Sequence, residues 1–315
     1  RRDGRSRRVN STMTTMTESG IPTAVAVPLV VDVDGTLVRG DLLWEGLANM
    51  LLRRPLAMFA LPLMLIRGKA AFKAYVASGS GIAVELVPCE PLVLEMIDAA
   101  RADGRPVILA SASHHSHLPK LAARVGADAF WGSDARVNLS GQCKLDRIRA
   151  DYAEYDYVGN SADDYPLWRH ARRAYALNAA PATVRRARRE RPDLEVLHQA
   201  RPRLRAWIRA LRPHQWAKNG LLFLPGRAAH IAPGLGTATT ALAGFLAFSL
   251  LASAVYLVND LADVANDRVH AKKRHRPIAS GDLSIPAALV TTVALVAGAA
   301  LVASTLRPAF QLVLV

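Results

Sequence analysis

Apolar residues fall along this chain in two different rhythms. From residue 21 to about residue 180, short apolar runs alternate with helically spaced stretches, the order that an open parallel sheet with crossover helices requires. The expected strands are residues 27–33, 106–111, 155–159 and 172–178, each bounded by turn or charged residues. Residues 42–81, between the first two strands, are helical in pattern and include the apolar run Pro55–Ile66. An insertion at that place predicts a helical cap, with its apolar run either packed inside the cap or turned to lipid.

After Leu221 the rhythm gives way to long uncharged runs. Residues 231–258 and 283–306 carry no charged residue and exceed the about 20 residues that cross hydrocarbon, so both are expected to be transmembrane helices. Residues 219–225 are placed to open an earlier, shorter span, and residues 310–315 begin a later one.

Charge sharpens this division. The 315 residues are 51% apolar yet carry a formal net charge of +14, and the two properties occupy different regions. Ten arginines lie in residues 184–212, directly ahead of the apolar runs, where anionic head groups attract them; membrane, not nucleic acid, is the expected partner. Within that stretch Leu204, Trp207, Ile208 and Leu211 recur at helical spacing, as in an interfacial amphipathic helix or a solvated linker helix. Arg268, Lys272, Lys273, Arg274 and Arg276 between the two spans place that loop in the cytoplasm, and the first domain with it. Cys89 and Cys143 are far apart and show neither disulfide nor zinc spacing; both read as small buried residues. Residues 1–20 have no apolar signal core and read as a disordered leader.

The first strand ends in Asp32-Val33-Asp34-Gly35-Thr36-Leu37. Alternate strand residues face one way, so Asp32 and Asp34 address one point in space, suited to one phosphorus and one magnesium ion. The motif resembles that of the haloacid-dehalogenase superfamily, and the resemblance implies Asp32 as phosphoryl-accepting nucleophile and Asp34 as general acid/base. It further implies Ser111, with Ser113 as rival, as a phosphate holder, Lys144 as the screening cation, and the loop from Gly159 through Asn160 and Asp163 to Asp164 as the metal loop. Asn160 stands where phosphatases of this type carry Asp, and an amide is the weaker Mg²⁺ ligand. An active phosphohydrolase and an inactive scaffold both stay open.

At the end of the first long span stands Asn259-Asp260-Leu261-Ala262-Asp263-Val264-Ala265-Asn266-Asp267. Carboxylates beside hydrocarbon are costly without a task, and Asp260, Asp263 and Asp267 fall on one face of a continuous helix, suited to Mg²⁺. With the following Arg276-Pro277-Ile278-Ala279-Ser280-Gly281, the motif resembles the UbiA superfamily of intramembrane prenyltransferases. The stretch from Leu211 through Trp216 and Lys218 to Asn219 resembles most closely the branch that makes polyprenyl-phosphate phosphoribose. That resemblance implies Mg²⁺ at Asp260, Asp263 and Asp267, with Lys218, Asn259, Arg274 and Arg276 contacting a diphosphate co-substrate and a polyprenyl lipid as the other substrate. A UbiA fold is expected to have about nine spans, so residues 204–315 hold its first part, and the second acidic motif of that fold is not among them.

The expected architecture is thus an α/β, Rossmann-like haloacid-dehalogenase domain with a helical cap (residues 21–183), a basic linker with an interfacial helix (184–212), and the transmembrane helices of a partial, all-α UbiA fold (213–315) in the cell's inner membrane. An aromatic-acid prenyltransferase and a membrane-anchored phosphatase are the alternative readings.

Overall fold

The computed structural model describes residues 26–199, 204–223 and 235–306. Six parallel strands form one sheet: β1 (Leu29–Val31), β2 (Val107–His114), β3 (Ala129–Ser133), β4 (Asp156–Gly159), β5 (Ala174–Ala179) and β6 (Glu195–Gln199), in the order β3-β2-β1-β4-β5-β6. All three residues of β1 are buried because helices cover both faces, which is why it reads as an unbroken apolar run. Leu29 and Val31 enter one core with α4 (Pro91–Ala102) and α5 (Leu118–Val125). Val30 enters the opposite core with α6 (Gln142–Asp151), α7 (Tyr165–His170) and α8 (Pro181–Glu190). The chain leaves β1 toward β2 on one side and β4 on the other, so Asp32 sits at the topological switch point of the sheet, where α/β folds place ligands.

The cap consists of α1 (Leu42–Arg53), a 3₁₀ turn at Pro55–Ala60, α2 (Leu61–Ile66) and α3 (Lys69–Ser80), packed around Met50, Leu61 and Val76. The Pro55–Ile66 run is divided between the two expected orientations: Leu61 is in the cap core with Ala57 and Met58 packed against it, while Leu56, Phe59 and Ile66 are 80%, 83% and 83% exposed.

Two strands escaped the sequence reading. β3 is a short edge strand interrupted by Gly132, and β6 lies inside the arginine-rich stretch. The latter moves the expected boundary at residue 183, because α8 and β6 complete the sheet domain as far as Gln199. Val184 and Ala187 of α8 are core residues whose apolar spacing is hidden among exposed arginines. The cysteines also differ from expectation: Cys89 is half-buried and Cys143 exposed, both as free thiols.

Beyond the sheet domain, α9 (Leu204–Leu211) turns Trp207 and Leu211 onto Leu257 and Leu261, while Leu204 and Ile208 stay exposed at 68% and 49%. A 3₁₀ segment (Pro213–Phe223) leads toward α10 (Leu235–Ala262), which is followed by α11 (Val264–Val269) and α12 (Ile285–Ser304). Both α10, over Ala238–Ala262, and α12 are long and apolar enough to cross a membrane. The start of the first expected span, the end of the 219–225 segment and residues 310–315 lie outside the described residues, as does the leader.

Asp156, at the start of β4, pins the far end of the sheet. It is 1% exposed and accepts hydrogen bonds from Arg105, from Arg172 Nε at 2.9 Å and Nη2 at 2.8 Å, and from the Arg173 amide at 3.2 Å. Burial alone would raise its pKa, but the bonds and charges of Arg172 and Arg105 outweigh burial and hold it below the usual carboxylate range. Replacing it with alanine strands these cations, and Asp156→Ala is expected to cost about 3–5 kcal/mol of sheet-domain stability. Denaturant unfolding followed by the fluorescence of the buried Trp168 measures this; an effect below about 1 kcal/mol would show that the cluster is surface decoration.

Candidate functional sites

The first site forms where the chain turns away from β1. Asp32 is 6% exposed and its carboxylate accepts from Lys144 Nζ at 2.7 Å and from the Thr36 hydroxyl at 3.1 Å. Burial pushes its pKa up to about 7 against the pull of the Lys144 charge, with Asp164 adding to the rise. For Lys144 itself burial works downward, yet the charges of Asp32 and Asp164 prevail and keep it above the ordinary lysine value. Asp34 Oδ1 accepts from the Leu42 amide at 2.9 Å, while Oδ2 accepts from the hydroxyls of Ser111 at 3.0 Å and Ser113 at 2.7 Å. Both serine candidates thus reach the same carboxylate.

Asp164, expected in the metal loop, is bonded chiefly to that loop. Its Oδ1 accepts from the Tyr157 hydroxyl at 2.6 Å, and Oδ2 accepts from the amides of Asn160 and Ser161, both at 2.9 Å, and from the Ser161 hydroxyl at 3.1 Å. With its oxygens taken by donors, Asp164 staples the loop and supports Lys144, 3.8 Å away. The exposed Asp163 and the Asn160 amide line the cavity. Asn160 packs so closely over Gly35 that a Cβ there would lie 2.1 Å from Asn160 Nδ2, and the Gly35 backbone is left-handed at φ 75°.

Two lining residues were missed in the sequence. Asp41 caps α1 by accepting from the Leu43 and Trp44 amides, a role that an acid before a helical run does signal; burial and then Asp34 push its pKa up to about 6. Lys73 reaches over from α3 to donate to the Ala112 carbonyl and to Asn138 Oδ1, both at 2.7 Å, and no sequence signal marks it. Burial outweighs the raising charges of Asp34 and Asp41 and leaves its pKa lowered.

The cavity over these groups is about 320 Å³ and is lined by five carboxylates, Asp32, Asp34, Asp41, Asp163 and Asp164, against two ammonium groups, Lys73 and Lys144. This surplus of negative charge and hard oxygen fits a divalent cation. Among the described residues, however, no three acidic, histidine or cysteine side chains converge as a ready metal cage. Mg²⁺ commonly takes one or two carboxylates and fills its shell with water and phosphate oxygens, so Asp32, Asp34 and Asn160 suffice as its protein side.

The second site lies at the end of α10, and here the expected single acidic face is broken. The helix stops at Ala262 and Asp263 becomes the cap of α11, so Asp263 is exposed while Asp260 and Asp267 are 3% and 1% exposed. Arg276 bridges those two, with Nη1 3.1 Å from Asp260 Oδ1 and 2.8 Å from Asp267 Oδ2. Arg212 grips Asp260 at 2.6 and 2.9 Å, from a left-handed backbone at φ 50°. It was missed as a site residue, although it stands inside the Leu211–Asn219 motif. Asp267 Oδ1 is buried and accepts no hydrogen bond, with Lys273 Nζ 4.0 Å away. An oxygen so placed beside a second buried carboxylate fits a hard cation. Lys218, Asn259 and Arg274 are all exposed, and Arg274 has its Nε 3.4 Å from His275 Nε2; the structure does not bring these three onto the acidic pair.

The two sites match two families. Residues 29–169 match the haloacid dehalogenase-like hydrolases and residues 221–315 match the UbiA prenyltransferase family, so the two matches fall on separate parts of one chain. Among individual proteins, the uncharacterized protein y4nM of Sinorhizobium fredii is 32% identical over 262 residues, 82% of this chain and 51% of that protein. The decaprenyl-phosphate phosphoribosyltransferase of Mycobacterium tuberculosis is 43% identical over 115 residues, 34% of this chain and 37% of that enzyme. A solved protein of unknown function from Bordetella pertussis Tohama I is 17% identical with a TM-score of 0.44, covering 55% of this chain and 98% of that one. The chain therefore spans about half the length of the Sinorhizobium relative and rather over a third of the mycobacterial enzyme.

Lys144 is the only cation bonded to Asp32 among the described residues. Lys144→Met is expected to raise the Asp32 pKa further and to lower phosphate-ester hydrolysis by about a hundredfold or more at neutral pH, with Gly35→Ala acting in the same direction by displacing Asn160. Steady-state hydrolysis of p-nitrophenyl phosphate checks both; unchanged rates in both variants would remove these residues from the site.

Proposed function

We propose that the protein is a two-site membrane enzyme: a UbiA-type transferase that joins a polyprenyl phosphate to a diphosphate-activated partner, phosphoribosyl diphosphate, and a fused phosphohydrolase that acts on the product or a related phosphate. The observation that carries the transferase reading is the buried Asp260–Asp267 pair at the end of a membrane-length helix, within the segment similar to decaprenyl-phosphate phosphoribosyltransferase. Mg²⁺ held by Asp260 and Asp267 would neutralise the charge that develops on the departing diphosphate. Arg276 and Arg212 are already oriented at the two carboxylates, and each is positioned to turn its guanidinium to a phosphate oxygen when the diphosphate enters.

In the phosphohydrolase site, an Asp32 oxygen attacks phosphorus and the bond from phosphorus to the ester oxygen breaks. Asp34 gives its proton to that oxygen, releasing the alcohol. Asp34 then takes a proton from water, whose oxygen attacks the phosphorus of the aspartyl phosphate, releasing inorganic phosphate and restoring Asp32. Lys144 balances the charge of Asp32 throughout. The Ser111 and Ser113 hydroxyls on Asp34 hold its carboxyl in place, and Ser113 lines the cavity that would receive the transferred phosphoryl group.

Both domains stand on one side of the membrane in this reading. The cap and the loop between α10 and α12 are joined by Arg268 and Glu45, at 2.6 and 2.9 Å with both side chains 7% exposed, and that loop is the lysine- and arginine-rich one that favours the cytoplasm.

The test is incubation of membranes carrying the complete gene product with radiolabelled phosphoribosyl diphosphate, a polyprenyl phosphate and Mg²⁺. Label enters the lipid phase, falls by about a hundredfold or more in Asp260→Ala, and persists in Asp32→Asn, which instead blocks phosphate release. Prenyl transfer to an aromatic acid in place of lipid labelling would overturn the phosphoribosyl assignment, and labelling unaltered by Asp260→Ala would overturn the metal-site assignment.

A further inference from the structure

The phosphohydrolase cavity does not end at the sheet domain. Asp34, Asp41 and Asn160 line it on one side and, on the other, line a second cleft of about 310 Å³ between the cap and the loop that enters α12. Its lining combines charged residues, Asp34, Arg39 and Asp41, with Trp44 of the cap and Leu283, Ser284, Ile285 and Pro286, where the membrane-length helix α12 begins.

Its geometry is fixed by two contacts. Arg268 and Glu45 form a buried two-pronged ion pair across the gap. Gly281, left-handed at φ 75°, lies so close to Arg39 that a Cβ would meet Arg39 Cβ at 2.6 Å and its carbonyl oxygen at 2.8 Å. A buried ion pair between residues 223 apart in sequence keeps the cleft from collapsing or swinging open, because separating it leaves two charges without partners.

The role of Asp34 determines what enters. It protonates the departing ester oxygen, so the alcohol portion of the substrate must lie on its side of the phosphorus, and the cleft is the space that continues from there. We infer that this interdomain cleft is the leaving-group site of the phosphohydrolase, and that its substrate is a lipid-borne phosphate monoester: a polar, sugar-sized head carrying the scissile phosphate, with its apolar tail directed along the start of α12. The transferase half of the chain thereby supplies specificity to the hydrolase half. This rests on the phosphohydrolase reading of Asp32 and Asp34 given above.

Ser284 allows a clean test. It is exposed, its backbone is extended at φ −70° and ψ 148°, and its side chain makes no capping hydrogen bond, so a large residue is tolerated by α12 while intruding into the cleft. The full-length enzyme in lipid micelles is assayed with two probes, a synthetic prenyl-phosphoryl pentose 5-phosphate and p-nitrophenyl phosphate. Ser284→Trp is expected to lower the ratio of kcat/KM for the lipid-borne ester to that for the small ester by about ten-fold or more, chiefly through KM. Trp44→Ala, which strips apolar contact from the opposite wall, is expected to lower the same ratio. If both variants leave the ratio unchanged while the wild type hydrolyses both probes, the cleft assignment is wrong and the phosphohydrolase reading stands. If the wild type hydrolyses neither probe, the phosphohydrolase reading fails and the cleft assignment falls with it.

Discussion

A carboxylate buried away from water must find a cation or give up its charge, and this chain meets the requirement four times in places that define its architecture. Lys144 meets Asp32 at the sheet's switch point, Arg105 and Arg172 meet Asp156 at its far end, Arg268 meets Glu45 between cap and membrane-end loop, and Arg212 with Arg276 meets Asp260 beneath the long helices. In each, the partners come from segments distant in sequence, so the pairs hold elements together as well as balancing charge. The surplus of arginine and lysine is therefore only partly an attraction to lipid; a share of it is internal.

The compensation is incomplete in the two places where chemistry is expected. Lys144 and Lys73 do not match five carboxylates in the first cavity, and Asp267 keeps a buried oxygen with no hydrogen bond in the second site. Incomplete satisfaction is costly to a fold and useful to a ligand, because an incoming cation or polarised group recovers what the protein leaves unmade. Where structure alone is served, as at Asp156, each oxygen accepts two hydrogen bonds. The contrast separates the acids that hold the sheet from those available for binding.

Much of the α/β domain was legible because its central strands are buried on both faces. The runs around Val30, Ile108, Val158 and Ala176 are apolar without interruption, and the turn residues bounding them are plain. The edges were not legible for the opposite reason: β3 and β6 are half-exposed, and β6 follows a helix whose buried face is only Val184 and Ala187 among arginines. The DxDGT motif gave the positions of Asp32 and Asp34, since strand alternation fixes them locally. Lys73, which arrives from the cap, is invisible to local reasoning because only the tertiary fold brings α3 over the cavity. The acidic run after Val258 shows the converse error. Helical spacing put Asp260, Asp263 and Asp267 on one face, but the helix breaks at Asp263, and burial of the outer pair beneath Arg276 outweighs the periodicity.

That break also places the two halves of the chain in register. Beyond Asp263, consecutive residues of α11 serve different sites: Asp267 faces Arg276 and the acidic pair, and Arg268 reaches Glu45 of the cap. A cation at Asp267 would therefore act on a six-residue helix whose next side chain is paired with Glu45 of the cap. Of the contacts between the two halves of the chain, this one is joined to the acidic pair by a single peptide bond, with a buried charge on either side of it.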